Sequence, residues 1–161
     1  MAGMNADAVK GGGVTIRLAG REDLRAIVKL LADDVLGAGR EAAAEDLEPY
    51  AAAFDEIDAD PRNCIYVAVE NGEVIGCYQL TLIANLSLAG TRRAQIEGVR
   101  VAKAARGRQI GEALMRHAIG RAREEGCGLV QLTSNKTRAD ALRFYARLGF
   151  EATHIGFKLY L

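Results

Sequence analysis

Neither sign of charge prevails in this chain, in which 21 lysines and arginines balance 21 aspartates and glutamates. That balance gives no drive toward nucleic acid or an anionic membrane surface. Although 50% of the residues are apolar, no uninterrupted apolar run approaches the roughly eighteen that span a bilayer. No membrane partner is expected. Residues 1–13 lack the apolar segment of a secretory signal and end in Gly11-Gly12-Gly13, which reads as a flexible tail. The cysteines Cys64, Cys77 and Cys127 have no metal-ligand spacing, and an odd number cannot fully pair within one chain. The expected reading is buried small hydrophobes in the reducing cytoplasm, with no metal. Repeats and low-complexity stretches are absent, and 161 residues suit a single domain, expected over 14–161.

Two common phosphate-binding strings are missing as well. No Gly, four residues, Gly-Lys-Ser/Thr occurs, so no lysine and hydroxyl are set to reach terminal phosphates and a metal. The three glycines of a dinucleotide-binding turn are not there either. What is present is Val99-Arg100-Val101-Ala102-Lys103-Ala104-Ala105-Arg106-Gly107-Arg108-Gln109-Ile110-Gly111, followed by Glu112-Ala113-Leu114-Met115. An apolar strand leads through a basic loop into an amphipathic helix. The first amides of a helix lack partners and carry roughly half a positive charge, so an anion delivered there is favoured twice. Arg106 and Arg108 add full charges, unless they form a solvated face.

The remaining pattern alternates strands and helices. Val14–Leu18 reads as a strand, and Leu24, Ile27, Val28, Leu31 and Val35 as a helical stripe that Gly37 can end. Pro49 suits the first turn of a second helix containing Tyr50, Ala51, Phe54 and Ile57. Residues 64–70 and 74–84 flank Asn71-Gly72, a strong hairpin signal. A turn near 89–91 leads to a strand over about 93–101, then a helix from Gln109 to Glu125. A strand at 129–133, a helix at 138–148 and a last strand at 154–161 complete a mixed α/β sheet. Ile96 and Val99 are three apart although strand faces repeat every two, which predicts an extra residue near Glu97-Gly98.

The loop over 106–111 resembles the Arg/Gln-x-x-Gly-x-Gly/Ala pattern of acyl-CoA N-acetyltransferases of the GNAT superfamily, with Gln109 in place of the first glycine of the pair. Asn135, after the apolar run 129–132, and Ala141-x-x-Phe144-Tyr145-x-x-x-Gly149-Phe150 are similar to that family's later blocks in order and spacing. The C-terminal half is similar to aminoalkylphosphonate N-acetyltransferases in particular. The resemblance implies a mostly antiparallel sheet with helices on both faces and a V-shaped split between the fourth and fifth strands. It also implies acetyl-CoA as cofactor, a cytoplasmic enzyme, and a primary amine acceptor, of a small molecule or of a protein.

In such a family the backbone of Val99 and Val101 pairs with pantetheine. The segment Arg106, Gly107, Arg108, Gln109, Ile110, Gly111 and Glu112 holds the pyrophosphate, with Arg100 and Asn135 as further cofactor contacts. Acetyl transfer by direct attack in a ternary complex needs an amine relieved of its proton, a polarised carbonyl and a proton for the departing thiolate. Glu97, directly or through water, fits the first role, the Val99 amide the second and Tyr145 the third. Each has a structural alternative: an ion pair with Arg93 or Arg100 for Glu97, a core hydrogen bond for Tyr145, a turn cap for Asn135. Arg92 and Arg93 either clamp an acidic group on the acceptor or face solvent at a turn. The resemblance leaves a homodimer open, and a binding module without turnover is the alternative to an enzyme.

Overall fold

A computed structural model describes residues 7–8, 13–33 and 46–161. The chain divides into two compact units, Met1–Gln131 and Leu132–Leu161. The first carries all but the last residue of a six-stranded sheet whose strands follow chain order: β1 (Asp7–Ala8), β2 (Val14–Leu18), β3 (Asn63–Glu70), β4 (Glu73–Ile83), β5 (Arg93–Val101) and β6 (Leu129–Leu132). Neighbours from β1 to β5 are antiparallel. At the last pair, the Gly128 amide donates to the Arg92 carbonyl at 3.0 Å and Gln131 Nε2 donates to Gln95 Oε1 at 2.7 Å. Partner numbers rise together, so β6 lies parallel to β5. A parallel neighbour requires a crossover, which a long helix supplies.

Helices cover both faces, as the resemblance implies. On one face α1 (Leu24–Ala32) and α2 (Glu48–Ala59) pack together through Leu24, Val28, Ala51 and Phe54, while Ile27 and Leu30 of α1 meet Val67 and Cys77. Pro49 stands in the first turn of α2, where its missing N–H costs nothing. After the short turn α3 (Ser87–Gly90), the crossover helix α4 (Ile110–Glu124) covers the opposite face, with Leu114, Met115, Ala118 and Ala122 wholly buried. A Cβ on Gly76 of β4 would come within 3.0 Å of both the Arg100 carbonyl and Leu114. Only glycine lets α4 lie this close. The polar groups under α4 are answered: Tyr78 Oη and His117 Nδ1 are 2.6 Å apart, and Arg121 Nε donates to Tyr66 Oη at 3.2 Å.

The β2–α1 junction is held by a compact ion pair. Arg17 donates to Asp23 through both Nη atoms at 2.6 and 2.9 Å, and the Gly20 amide donates to the same carboxylate at 2.8 Å. Asp23 is buried, and its hydrogen bonds from Arg17 hold its carboxyl below the ordinary range.

Several expectations meet the structure directly. The hairpin turns through Asn71 and Gly72 with φ of 50° and 83°, the left-handed pair such a turn demands. Within the expected tail, Asp7–Ala8 pairs with β2, while 1–6 and 9–12 lie outside the described residues, as do Val35 and Gly37. In the second unit α5 (Ala139–Arg147) is followed by Gly149 at φ 89°. The strand expected over His154–Leu161 is not formed, and residues 151–161 carry no regular element. Ile155, Phe157, Leu159 and Leu161 alternate as a strand would, and all are exposed. A ladder needs a hydrogen-bonded neighbour, and the six described strands of the sheet include none from this segment.

Candidate active site

The predicted extra residue lies where the Ile96–Val99 spacing placed it. Cys77 pairs with Arg100 and Gln79 with Glu97, so β4 advances two residues while β5 advances three. Gly98 absorbs the difference at φ 61°. Cys77, beneath this bulge, has its thiol pushed up to about 12 by burial, which leaves no thiolate for covalent chemistry at neutral pH.

Beyond the bulge β5 offers a backbone edge. The four-residue β6 ends while β5 runs on through Glu97–Val101. Ala102 turns its amide to β4, donating to the Ile75 carbonyl at 2.9 Å. By alternation the amides and carbonyls of Val101 and Val99 point the other way. Their carbonyls accept from Arg106 Nε at 3.2 Å and Arg100 Nη1 at 2.9 Å. The two amides remain directed outward, at the residues expected to bind a strand-like ligand.

The loop that follows is shaped for an anion. Gly107 has φ 75° with nothing within 4 Å of where a Cβ would stand, and Gln109 has φ 64°, ψ 10°. Gln109 is thus left-handed, and the helix begins one residue later than expected. A left-handed residue followed by right-handed Ile110 turns successive amides toward one concavity, the arrangement called a nest. The Gln109 carbonyl accepts from Ala113 at 3.0 Å, which leaves the amides of Ile110, Gly111 and Glu112 ahead of the first helical bond. The site thus rests on backbone donors.

The two arginines border that concavity with their charges already answered. Arg108 grips Glu70 with both Nη atoms, at 3.0 Å for the longer bond, and this hydrogen bonding holds the Glu70 carboxyl below its ordinary range. Arg106 reaches the Asp33 carbonyl at 3.4 Å, while Lys103 Nζ lies 2.8 Å from the Asp33 carboxylate. A phosphate drawn to either arginine has a carboxylate to displace. Glu112 likewise accepts from Arg116 at 2.9 Å, so it would serve an anion through its amide alone.

A feature missed in the sequence is a polar floor on the α1 side of the sheet. Register places Asn63, Gln79, Thr81, Gln95 and Glu97 on one face, because paired residues share a face and each strand repeats every two. Thr81 Oγ1 donates to Asn63 Oδ1 at 2.6 Å, and Gln131 reaches Gln95 from β6. The readable signal was the pair of alternations Gln79-x-Thr81 and Gln95-x-Glu97. Glu97 is the exposed member nearest the bulge. Arg93 forms no ion pair with it among the described residues.

Tyr145 and Asn135 belong to the second unit. The Tyr145 ring is half-buried between Phe144 and Phe150, at centroid distances of 5.2 and 6.0 Å. Asn135 Oδ1 accepts from the Thr137 amide at 3.0 Å and its hydroxyl at 2.8 Å. Through Oδ1 its side chain therefore caps the turn before α5. Among the described residues no cluster of His, Cys, Asp or Glu could hold a metal ion, and no helix is long and apolar enough to cross a membrane.

A bulged strand, an outward backbone edge and an anion nest at a helix start are the features that the resemblance implies around the loop at 106–111. The chain belongs to the acetyltransferase (GNAT) family, matched over residues 24–150. It is 36% identical over 98 residues to aminoalkylphosphonate N-acetyltransferase of Salmonella typhimurium, covering 61% of this chain and 63% of that one. It is 35% identical over 103 residues to streptothricin acetyltransferase of Streptomyces lavendulae, covering 64% and 51%. The matches thus span between half and two thirds of those relatives' lengths. Among solved structures, a transcriptional regulator from Bacillus halodurans C-125 superposes with TM-score 0.89 at 48% identity, covering 92% of this chain and 99% of that one. A putative acetyltransferase from Agrobacterium tumefaciens gives 0.77 at 31%, covering 91% and 99%.

Proposed function

We propose that the chain transfers an acetyl group from acetyl-CoA to the primary amine of a small molecule, by direct attack in a ternary complex within one domain spanning 14–161. The nest at 107–111 is the observation that carries this reading, since it presents backbone donors to a diphosphate without needing a metal. The residues present fit the cofactor: Val99 and Val101 would pair with pantetheine, and Ile110, Gly111 and Glu112 would donate their amides to the diphosphate. Acetyl-CoA would supply the activated acyl group. Glu97 would relieve the amine of its proton, the Val99 amide would polarise the carbonyl, and Tyr145 would protonate the departing thiolate. Arg106, Arg108, Arg100 and Asn135 are proposed as secondary cofactor contacts.

A binding module without turnover is the second reading, favoured by the description of the 48%-identical neighbour as a transcriptional regulator. Thiol release separates the two. Saturable production of free CoA from acetyl-CoA with some member of a broad amine panel removes the binding-only reading, whereas CoA binding without release across that panel establishes it.

The nest itself can be tested by charge. Gly107→Asp sets a carboxylate in open space at a left-handed position that Asp and Asn tolerate better than most residues. Calorimetry is expected to show CoA affinity lowered about 10- to 100-fold, as for loss of a charge-assisted contact. Gly107→Asn, equal in shape, should stay within about threefold of wild type. Equal affinities for the two variants would place the diphosphate elsewhere.

A further inference from the structure

We propose that Arg93 binds an acidic substituent on the acceptor, so that the preferred acceptors are small zwitterions carrying a carboxylate, sulfonate or phosphonate beside the reacting amine. This rests on the acetyltransferase reading for the identity of the ligand, though the anion site stands on its own geometry.

Arg93 opens β5 in register with Ile83, and alternation puts its side chain on the face shared by Gln95 and Glu97. Its Nε is buried and has no hydrogen-bond partner. No hydrogen bond or ion pair is formed by Arg93 among the described residues. The neighbouring polar groups are answered: Gln95 by Gln131, Thr81 by Asn63, and Arg92 through its bond to the Glu125 carbonyl at 3.1 Å. A guanidinium keeps its charge at any ordinary pH, and withdrawing part of it from water without an anion is costly. An external anion supplies what the fold withholds. Its planar fork favours a carboxylate, sulfonate or phosphonate oxygen pair.

Glu97 stands two face repeats along the same strand, about 13 Å away between Cα atoms. The reach of two long side chains reduces that to a gap a small molecule can fill. Cation at one end and carboxylate at the other match a compound with the opposite polarity: acid toward Arg93, amine toward Glu97. The sequence pair Arg92-Arg93 is thereby split, one residue fastened at the surface and one turned onto the floor.

The test compares 3-aminopropylphosphonate with propylamine as acceptors, and follows thermal melting in the presence of CoA. In wild type the acidic amine should have the higher kcat/KM by about 10- to 100-fold, the scale of one charge-assisted contact. That ratio should fall at least about tenfold in Arg93→Gln and recover partly in Arg93→Lys. The phosphonate should also raise the melting temperature of wild type and Arg93→Lys, with the rise lost in Arg93→Gln. The unliganded Arg93→Gln protein, relieved of an uncompensated charge, should melt no lower than wild type. An unchanged acceptor ratio, or an equal melting shift in wild type and Arg93→Gln, overturns the Arg93 proposal and leaves acetyl transfer standing. A shift lost in Arg93→Gln with neither amine acetylated supports the anion site and overturns acetyl transfer of such amines.

Discussion

Tyr145→Phe is expected to lower kcat for acetyl transfer by about 100-fold or more while CoA affinity stays within about threefold. The ring should keep its place against Phe144 and Phe150, because the substitution removes one oxygen and no carbon. What is lost is the proton proposed for the departing thiolate, and general acid catalysis contributes about 100- to 10,000-fold. A loss confined to kcat marks an interaction made in the transition state. Full turnover in Tyr145→Phe removes that role. Glu97→Gln tests the opposite proton: with the carboxylate gone the amine must arrive already neutral, so the pH–rate profile should move to higher pH. An unmoved profile would leave proton removal to solvent.

Much of the first unit was legible because its signals are local. Asn71-Gly72 demands a left-handed pair, Pro49 marks a helix start, and Ile96 and Val99 cannot share a strand face without an inserted residue. Each is decided within a few positions of chain. Gln109 illustrates a finer reading: a residue standing where glycine is usual adopts the glycine-like φ of 64° rather than the helical backbone that would have been simplest. The loop conformation is imposed by the strand behind it and the helix ahead.

What stayed hidden depends on partners distant in sequence. The pairing of Arg108 with Glu70, 38 residues away, exists because the β3 end and the loop after β5 meet in space. Nothing in the string Arg106-Gly107-Arg108 distinguishes a charge awaiting phosphate from one already bound. The polar floor is assembled from β3, β4, β5 and β6, and no single strand shows more than three of its residues in alternation. His154–Leu161 fails in the reverse sense: a strong period of two is present, but a strand is a relation between segments and the pattern alone supplies one side of it.

Asp23→Ala should destabilise the fold by about 3 kcal/mol, the low end of the range for breaking a buried ion pair, because Arg17 keeps 37% side-chain exposure while Asp23 has 6%. The variant strands the Arg17 guanidinium and the Gly20 amide together. The sign with pH follows from the depressed Asp23 carboxyl. Its contribution is complete above the unfolded value near about 3.9 and declines as pH falls through the lower folded value. Urea midpoints of wild type and Asp23→Asn should therefore differ most at neutral pH and converge on acidification. Asp33, Asp60 and Glu70, also held low by their partners, titrate in both proteins and largely cancel in the difference. A gap that stays constant with pH would show that shape, not charge, holds this junction. The consequence reaches the site, because Asp23 opens α1 and Leu31 on that helix lies 3.8 Å from where a Gly98 Cβ would stand. Loosening the start of α1 removes a wall of the bulge, so Asp23→Asn should also raise KM for the acceptor at the pH where the stability gap is widest.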